Sequence, residues 1–476
     1  MRLHILAVLA LTALTSCLLA GCADSTSTAS TRSTPAPVPP APWSRDRPLT
    51  RLVFEDHAVQ RMRWLDVLTD ETGKLRASAV EDVAGFKQLD AERQKLVQMR
   101  ASEEVIVVGV RDDDDGKLES GWVFVDSGVR YHDHGDHGHW NFKQRPAVIS
   151  SRLDQAQGNP AHVYDYGGKF FIANDQLAGY TRIDPSFANE PTAAASLSRM
   201  IQGGGNHITL AVVDDAVGYS CWIDGGGPNK GRVDVTPLTK VPVSKIAYSF
   251  SLPTGGIHGA IANSGRVFFA PSDGVCWVDA DRSASAKPEE VQVHHISLGA
   301  AEEKPRRTGA FVNHGQYVLC VTGRGTDAHL AIIDSQAADP KPQLLPLNAA
   351  ATAKAVTPLI VKTPAGDSIA LIFHDHDGDA AKDDFVQVVN LDPDHNGDCT
   401  DAVPIRQIRV GPSAVDGHYG HHAAAFDADR RFAFVTNPGA GTITVIQLDR
   451  LEAVATFTTG GKPTAIVARG GRTQSD

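Results

Sequence analysis

Phe432-Ala433-Phe434-Val435-Thr436-Asn437, followed after a short turn by Gly441-Thr442-Ile443-Thr444-Val445-Ile446-Gln447-Leu448-Asp449, is the stretch that decides the fold. Both runs are of strand length and rich in β-branched and aromatic residues, so they read as neighbouring strands. His421-His422-Ala423-Ala424-Ala425-Phe426 precedes them across a polar turn. The unit is a small-residue strand, a polar turn, a strongly hydrophobic strand and a third strand ending near Asp.

The unit recurs. It appears at Pro160-Ala161-His162-Val163-Tyr164 with Lys169-Phe170-Phe171-Ile172, and at Asn206-His207-Ile208-Thr209-Leu210-Ala211 with Gly218-Tyr219-Ser220-Cys221. It appears again at Gly256-Ile257-His258-Gly259-Ala260-Ile261 with Val267-Phe268-Phe269, and at 308–314 with Tyr317-Val318-Leu319. The period is roughly 45–50 residues, the size of a four-stranded propeller blade. Further units fit around 105–108 and 359–373, and at 463–468. The last has a single strand, which Leu52-Val53-Phe54 and Arg63-Trp64-Leu65-Asp66 complete, closing the ring. The expected fold is all-β: one β-propeller of about eight four-stranded blades, with seven as the alternative. Residues 79–99 have the only long helical look and are read as an insertion or a poor strand.

The first strand of each propeller blade lines the central channel. His162, His207, His258 and His421 (or His422) fall at the start of that strand in different blades, so they can converge on one mouth. His418, in Asp416-Gly417-His418-Tyr419-Gly420-His421-His422, is a further candidate for the same mouth.

A second histidine feature is Tyr131-His132-Asp133-His134-Gly135-Asp136-His137-Gly138-His139-Trp140, with four histidines and two aspartates in ten residues. Neutral imidazole is the commonest protein metal ligand. Residues i and i+2 of an extended chain share a side, so His132/His134 and His137/His139 form two pairs that Gly135 and Gly138 let fold together. Three or four nitrogens around one ion is the ligand number of zinc, with Asp136 as an added ligand and Asp133 as a second acid beside the rings. Spacing alone does not choose zinc over copper or nickel.

Residues 1–21 have a positive start at Arg2 and a short apolar run from Ile5 to Leu14, and end in Leu19-Ala20-Gly21 before Cys22. That pattern resembles a bacterial lipoprotein signal, with Cys22 as the lipidated residue. Ala23 after the cysteine is expected to send a lipoprotein to the outer-membrane side of a Gram-negative periplasm. Residues 22–48 are rich in Ser, Thr, Pro and Ala, the composition of a tether with no core of its own. Residues 49–472 then form the propeller, expected to be a membrane-anchored monomer. The chain has 56 acidic against 45 basic residues, a formal net charge of −11, which argues against nucleic acid as a partner. Cys221, Cys276, Cys320 and Cys399 form no C-x-x-C pair, and their pairing state is open.

Other motifs carry less. Asp392-Pro393-Asp394-His395-Asn396-Gly397-Asp398 resembles the start of an EF-hand loop, but its twelfth position is Val403, leaving at most a weak calcium site beside a simple turn. Asp112 to Asp115 reads as a charged hairpin tip. His374-Asp375-His376-Asp377-Gly378-Asp379 reads as a solvated blade tip or a second metal loop. No G-x-S-x-G elbow, H-E-x-x-H or C-x-x-C-H motif is present, and no enzyme activity is expected.

With Phe54-Glu55-Asp56-His57, the Asp133-His134-Gly135-Asp136-His137 core, Pro160-Ala161-His162-Val163, Asn206-His207 and Ile257-His258-Gly259, the chain resembles the AztD-type periplasmic zinc metallochaperones. The resemblance covers most of the chain after the linker. It implies capture of Zn2+ in the periplasm and handover to the solute-binding protein of a zinc ABC importer, with a mobile His-rich loop and a structured propeller site as the metal-binding parts. The chain departs from that family in its lipobox, and in Thr254 and Ser272, where cysteines flank the corresponding histidine. The alternative function is a lipid-anchored scaffold that binds protein or glycan and carries incidental metal sites.

Overall fold

A computed structural model of the chain describes residues 47–70, 72–112, 117–135, 138–185, 199–238, 245–350, 352–376 and 384–471. The expected signal, Cys22, most of the tether, Asp136, His137 and the acidic residues at 113–115, 377 and 379 lie outside the described residues. Eight antiparallel sheets of four or five strands follow one another around a ring. The eight-blade expectation holds, and seven is excluded.

Blade 1 joins Arg47–Asp56, Arg61–Thr69 and Leu75–Ala77 to Pro463–Arg469, which is its inner strand. Leu52 pairs with Ala468 and Phe54 with Ile466, so the closure expected from 463–468 and 52–54 is the one observed. Blade 2 is Gln94–Ser102, Val105–Asp112, Ser120–Asp126 and Ala147–Asp154, inner strand first. Blades 3, 4, 5 and 6 begin with inner strands Pro160–Tyr166, Leu210–Val213, Ala260–Asn263 and Val312–His314. Blade 7 has a broken inner edge, Ala353–Ala355 and Leu359–Lys362, both paired with Ser368–His376. Blade 8 begins with Ala424–Phe426.

The core lies between blades. Ile106, Val108 and Val110 pack toward Val53, Met62 and Trp64 of blade 1, while Val105 and Val107 pack toward Val163, Phe170 and Ile172 of blade 3. Alternate residues of one strand thus serve two interfaces, which is why the middle strands read as unbroken hydrophobic runs. Each such side chain contributes about 1.5–3 kcal/mol on burial. The ring closes with Phe434, Val445 and Phe457 of blade 8 against Leu52, Phe54 and Leu65 of blade 1.

The segment 79–99 is not helical. Glu81–Asp82 pairs with blade 1, and Gln94–Ser102 is the inner strand of blade 2. An inner strand faces a channel on one side, so Leu96 and Met99 are buried while Arg100 is open to that channel. Its mixed polarity imitates helical periodicity.

The His-rich tract is a β-hairpin, Arg130–Asp133 against Gly138–Asn141, inserted between the last two strands of blade 2. Tyr131 pairs with Trp140 and His132 with His139. The Tyr131 ring packs over Gly138, where a Cβ would displace the exposed tyrosine side chain. The buried Arg51 clamps both legs of the insertion: its guanidinium donates to the carbonyls of Ser127 (3.1 Å) and Gln144 (2.5 Å) and pairs with Asp66 (2.7 Å).

Candidate metal centre

Inner strands of a propeller run in the same direction, so their first residues share one mouth of the channel, called here the upper mouth. His162 is the third residue of the blade 3 inner strand. His207 sits on the turn before the blade 4 inner strand, with Asn206 at φ 65°. His258 precedes the blade 5 inner strand and is pinned by its N–H to the Ala270 carbonyl (3.0 Å). His418 occupies an exposed turn before blade 8, where Gly417 adopts φ 61°.

The four rings are neighbours. Centroids lie 4.6 Å apart for His162 and His207, 5.1 Å for His207 and His258, 5.7 Å for His207 and His418, and 6.0 Å for His258 and His418. Rings held tetrahedrally at about 2.0–2.1 Å from one ion have centroids roughly 5 Å apart. No three of their nitrogens lie within 4.8 Å of one another among the described residues. An ion would therefore draw the rings together, with the exposed His418 best able to move.

The hydrogen bonds fix the tautomers. The Gln98 carbonyl accepts the Val163 N–H (3.0 Å), which turns its amide nitrogen toward His162 Nδ1 (3.2 Å). His162 Nδ1 thus accepts, and the ring proton sits on Nε2. That proton is donated to His207 Nε2 (2.9 Å). His207 Nδ1–H then faces Asp175 Oδ2 (3.5 Å), itself held by the Ile208 N–H (3.0 Å) and Arg111 (3.2 Å). His258 Nδ1 donates to the Gly309 carbonyl (3.1 Å), leaving Nε2 as a lone-pair donor. Carboxylate and carbonyl partners on the far nitrogen are the usual supports of ligating histidines.

Burial lowers the pKa of His162 well below its ordinary value, and His207, His258 and His418 add to the effect. Burial also lowers His258, against the opposing Gly309 carbonyl, and lowers His418, with His207 adding to it. These three rings are neutral at neutral pH, the form that binds metal.

The remaining histidines divide. His421 Nδ1 donates to Asp375 Oδ2 (2.7 Å), which leaves its Nε2 free to ligate. His422 donates through both nitrogens, to Asp375 Oδ1 (2.7 Å) and the Gly411 carbonyl (2.9 Å). Burial opposes charge on His422, but the Asp375 bond outweighs it and raises its pKa. Although His422, Asp375 and Asp384 cluster within 4.8 Å, the His422 ring holds blade 8 to blade 7 and keeps no lone pair for an ion. Asp375 is pushed up by burial, yet its bonds from His421 and His422 hold it at about 2.

The hairpin histidines lie elsewhere. His132 and His134 are exposed, and the His134 and His139 rings are 5.2 Å apart. Trp140, next to His139, lines a cavity with His314, Lys362 and Arg469, which are the far ends of inner strands. The hairpin therefore belongs to the opposite, lower mouth. The blade 3 inner strand that separates the two mouths runs for 7 residues, or about 20 Å of chain at roughly 3.3 Å per residue.

At 392–401, Asp392, Asp394 and Asp401 approach within 4.8 Å. Asp392 Oδ2 accepts the Gly397 N–H and Asp394 Oδ1 the Asn396 N–H, as turn residues do. Calcium has no support there. Sequence reasoning missed Gln98 and Asp175 as partners of the mouth histidines; neither sits in a recognisable motif. The four cysteines are buried free thiols.

Among solved structures, AztD of Citrobacter koseri matches with a TM-score of 0.56 and 16% identity, over 90% of this chain and 100% of that one. The chain has the AztD propeller fold. The apo form of AztD from the same organism matches equally, at TM-score 0.56. The dihydro-heme d1 dehydrogenase NirN gives TM-score 0.49 at 12% identity, over 90% of this chain and 77% of that one. No protein-family model matches the chain. No curated protein matches it either. No helix among the described residues is long and apolar enough to cross a membrane.

Proposed function

We propose that the chain is an extracytoplasmic zinc-binding propeller, tethered by lipid at Cys22, that holds Zn2+ at its upper mouth and passes it on by ligand exchange. The recipient is the solute-binding protein of a zinc ABC importer. The observation that carries the reading is the meeting of His162, His207, His258 and His418, from four separate blade starts, with burial keeping His162 and His258 neutral. Neutral imidazoles with orienting partners suit a borderline divalent cation. His421, oriented by Asp375, stands beside the four as a ligand for the ion in transit. The AztD likeness in fold is consistent with this reading.

The hairpin, with His132 and His134 exposed and His139 half-buried, serves as a second capture element, to which Asp136 and His137 of the same tract would add ligands. Zinc transport of this kind needs no chemistry beyond exchange of ligands, so no catalytic role is assigned. The test is metal content of the purified, tag-free domain, then titration in competition with a zinc chelator. Tight zinc at low, fixed stoichiometry that weakens in His207→Ala and His258→Ala supports the reading. Zinc binding unchanged by both substitutions removes it.

A further inference from the structure

The lower mouth holds a cavity of about 570 Å3, within the range of small-molecule sites. Its wall includes Lys362 of blade 7, Phe426 and Arg430 of blade 8, Arg469 of blade 1, and Trp140 of the hairpin. Lys362, Arg430 and Arg469 make no ion pair among the described residues. Arg469 Nε is buried without a hydrogen-bond partner. The one carboxylate in the wall among the described residues, Asp427, accepts the N–H groups of Arg431 and Phe432 through Oδ1 (2.7 Å each), while its Oδ2 lies 3.6 Å from the Arg431 guanidinium and makes no hydrogen bond to any of those three cations. Glu103 and Glu104 reach Arg469 electrostatically but do not line the cavity. In a chain of formal net charge −11, three unpaired cations around one concavity define an anion site.

We infer that this cavity binds a small organic polycarboxylate. Guanidinium groups take carboxylates in a two-pronged fashion and an ammonium adds a third charge. Trp140 and Phe426 offer apolar surface to the carbon skeleton. Trp140 packs against Tyr131 across the hairpin, with ring centroids 4.9 Å apart, on the face opposite His132 and His139. The cavity therefore meets the aromatic face of the hairpin, and anion binding here is separate from the zinc-carrier reading.

The probe is citrate, titrated calorimetrically into the chelator-treated mature chain at physiological salt. One citrate per chain is expected. The pair Lys362→Gln and Arg469→Gln is expected to weaken it at least about tenfold, the equivalent of one lost charge-assisted hydrogen bond. Arg430→Gln, on an exposed turn, gives the same readout should changing the partly buried Arg469 disturb folding. Absence of citrate binding, or binding that all three substitutions leave unchanged, overturns the inference. The two readings fail separately, since zinc competition at the upper mouth is measured without citrate: its loss in the wild type sinks the carrier reading, and citrate binding still decides this site.

Discussion

Gln98→Glu should tighten zinc binding at the upper mouth. In the wild-type arrangement the Gln98 amide donates to His162 Nδ1, so His162 carries its proton on Nε2, the nitrogen that faces His207. For His162 to ligate through Nε2, its Nδ1 must become the protonated atom and the Gln98 amide must turn, giving up the Val163 N–H. A carboxylate at position 98 removes the conflict. One oxygen keeps the Val163 bond, and the other accepts from Nδ1–H. Nε2 is then a free lone pair backed by an acid, the carboxylate–histidine–metal arrangement. Such partners change metal affinity by about 10–100-fold, so a gain of that order is expected. Arg100, which already acts electrostatically on His162, is close enough to offset the added charge. The assay is chelator competition, paired with nitrogen NMR of the His162 ring. The expected pair of results is tighter zinc together with a proton shifted from Nε2 to Nδ1. A proton on Nδ1 without tighter binding would refute the role given to the tautomer. Tighter binding with the proton still on Nε2 would reduce the effect to bulk charge.

The same reasoning ranks the histidines. His258→Ala and His207→Ala should weaken zinc more than His162→Ala, because the first two carry their proton on Nδ1 and offer Nε2 without a change of tautomer; equal losses in a competition titration would contradict this. Asp375→Asn removes the anion between His421 and His422 and leaves the buried His422 ring with Asp384 at 3.8 Å as its remaining acid, a loss of about 1–3 kcal/mol in urea unfolding at neutral pH. Asp427 gives a pH signature: burial raises its carboxyl to about 6 from the ordinary 3.8. The folded state therefore holds its proton more tightly than the unfolded state, and stability falls as pH rises from about 4 through about 6. Asp427→Asn should lose that component, seen as a gain over wild type of about 1–3 kcal/mol at pH 7.5 that vanishes near pH 4. Arg51→Met should loosen both legs of the hairpin, read as faster proteolysis between 128 and 143 with upper-mouth zinc affinity unchanged.

Much of the ring was legible because its strands repeat. Each middle strand buries both faces, so its hydrophobicity stands out in one dimension, and the lone strand at 463–468 asked for partners near 52–54 and 63–66. The inner strand at 94–102 was not legible, since a strand that faces a channel keeps polar residues on one side. At the site, the mouth histidines were legible from their place in the repeat. Their tautomers were not, because these depend on Gln98, Asp175 and the Gly309 carbonyl, which come from other blades. The His-rich tract gave no sign of its position: nothing local to 131–140 tells which end of a channel it will guard, and only the cavity shared by Trp140, His314 and Arg469 locates it.

The closure of blade 1 has a consequence for timing. Thr50 donates to the Arg469 carbonyl across 419 residues of chain, and the pair of strands it joins exists only after the blades between them have been made. Until then blades 1 and 8 have no shared interface, and the His418 loop lacks the neighbour that Tyr419 meets in His57, whose ring is 5.2 Å away. A chain emerging N-terminus first would thus carry the hairpin early and the finished upper mouth last. A chain of this design completes the hairpin while most blades are still missing, and brings His418 to His162, His207 and His258 only when the ring closes.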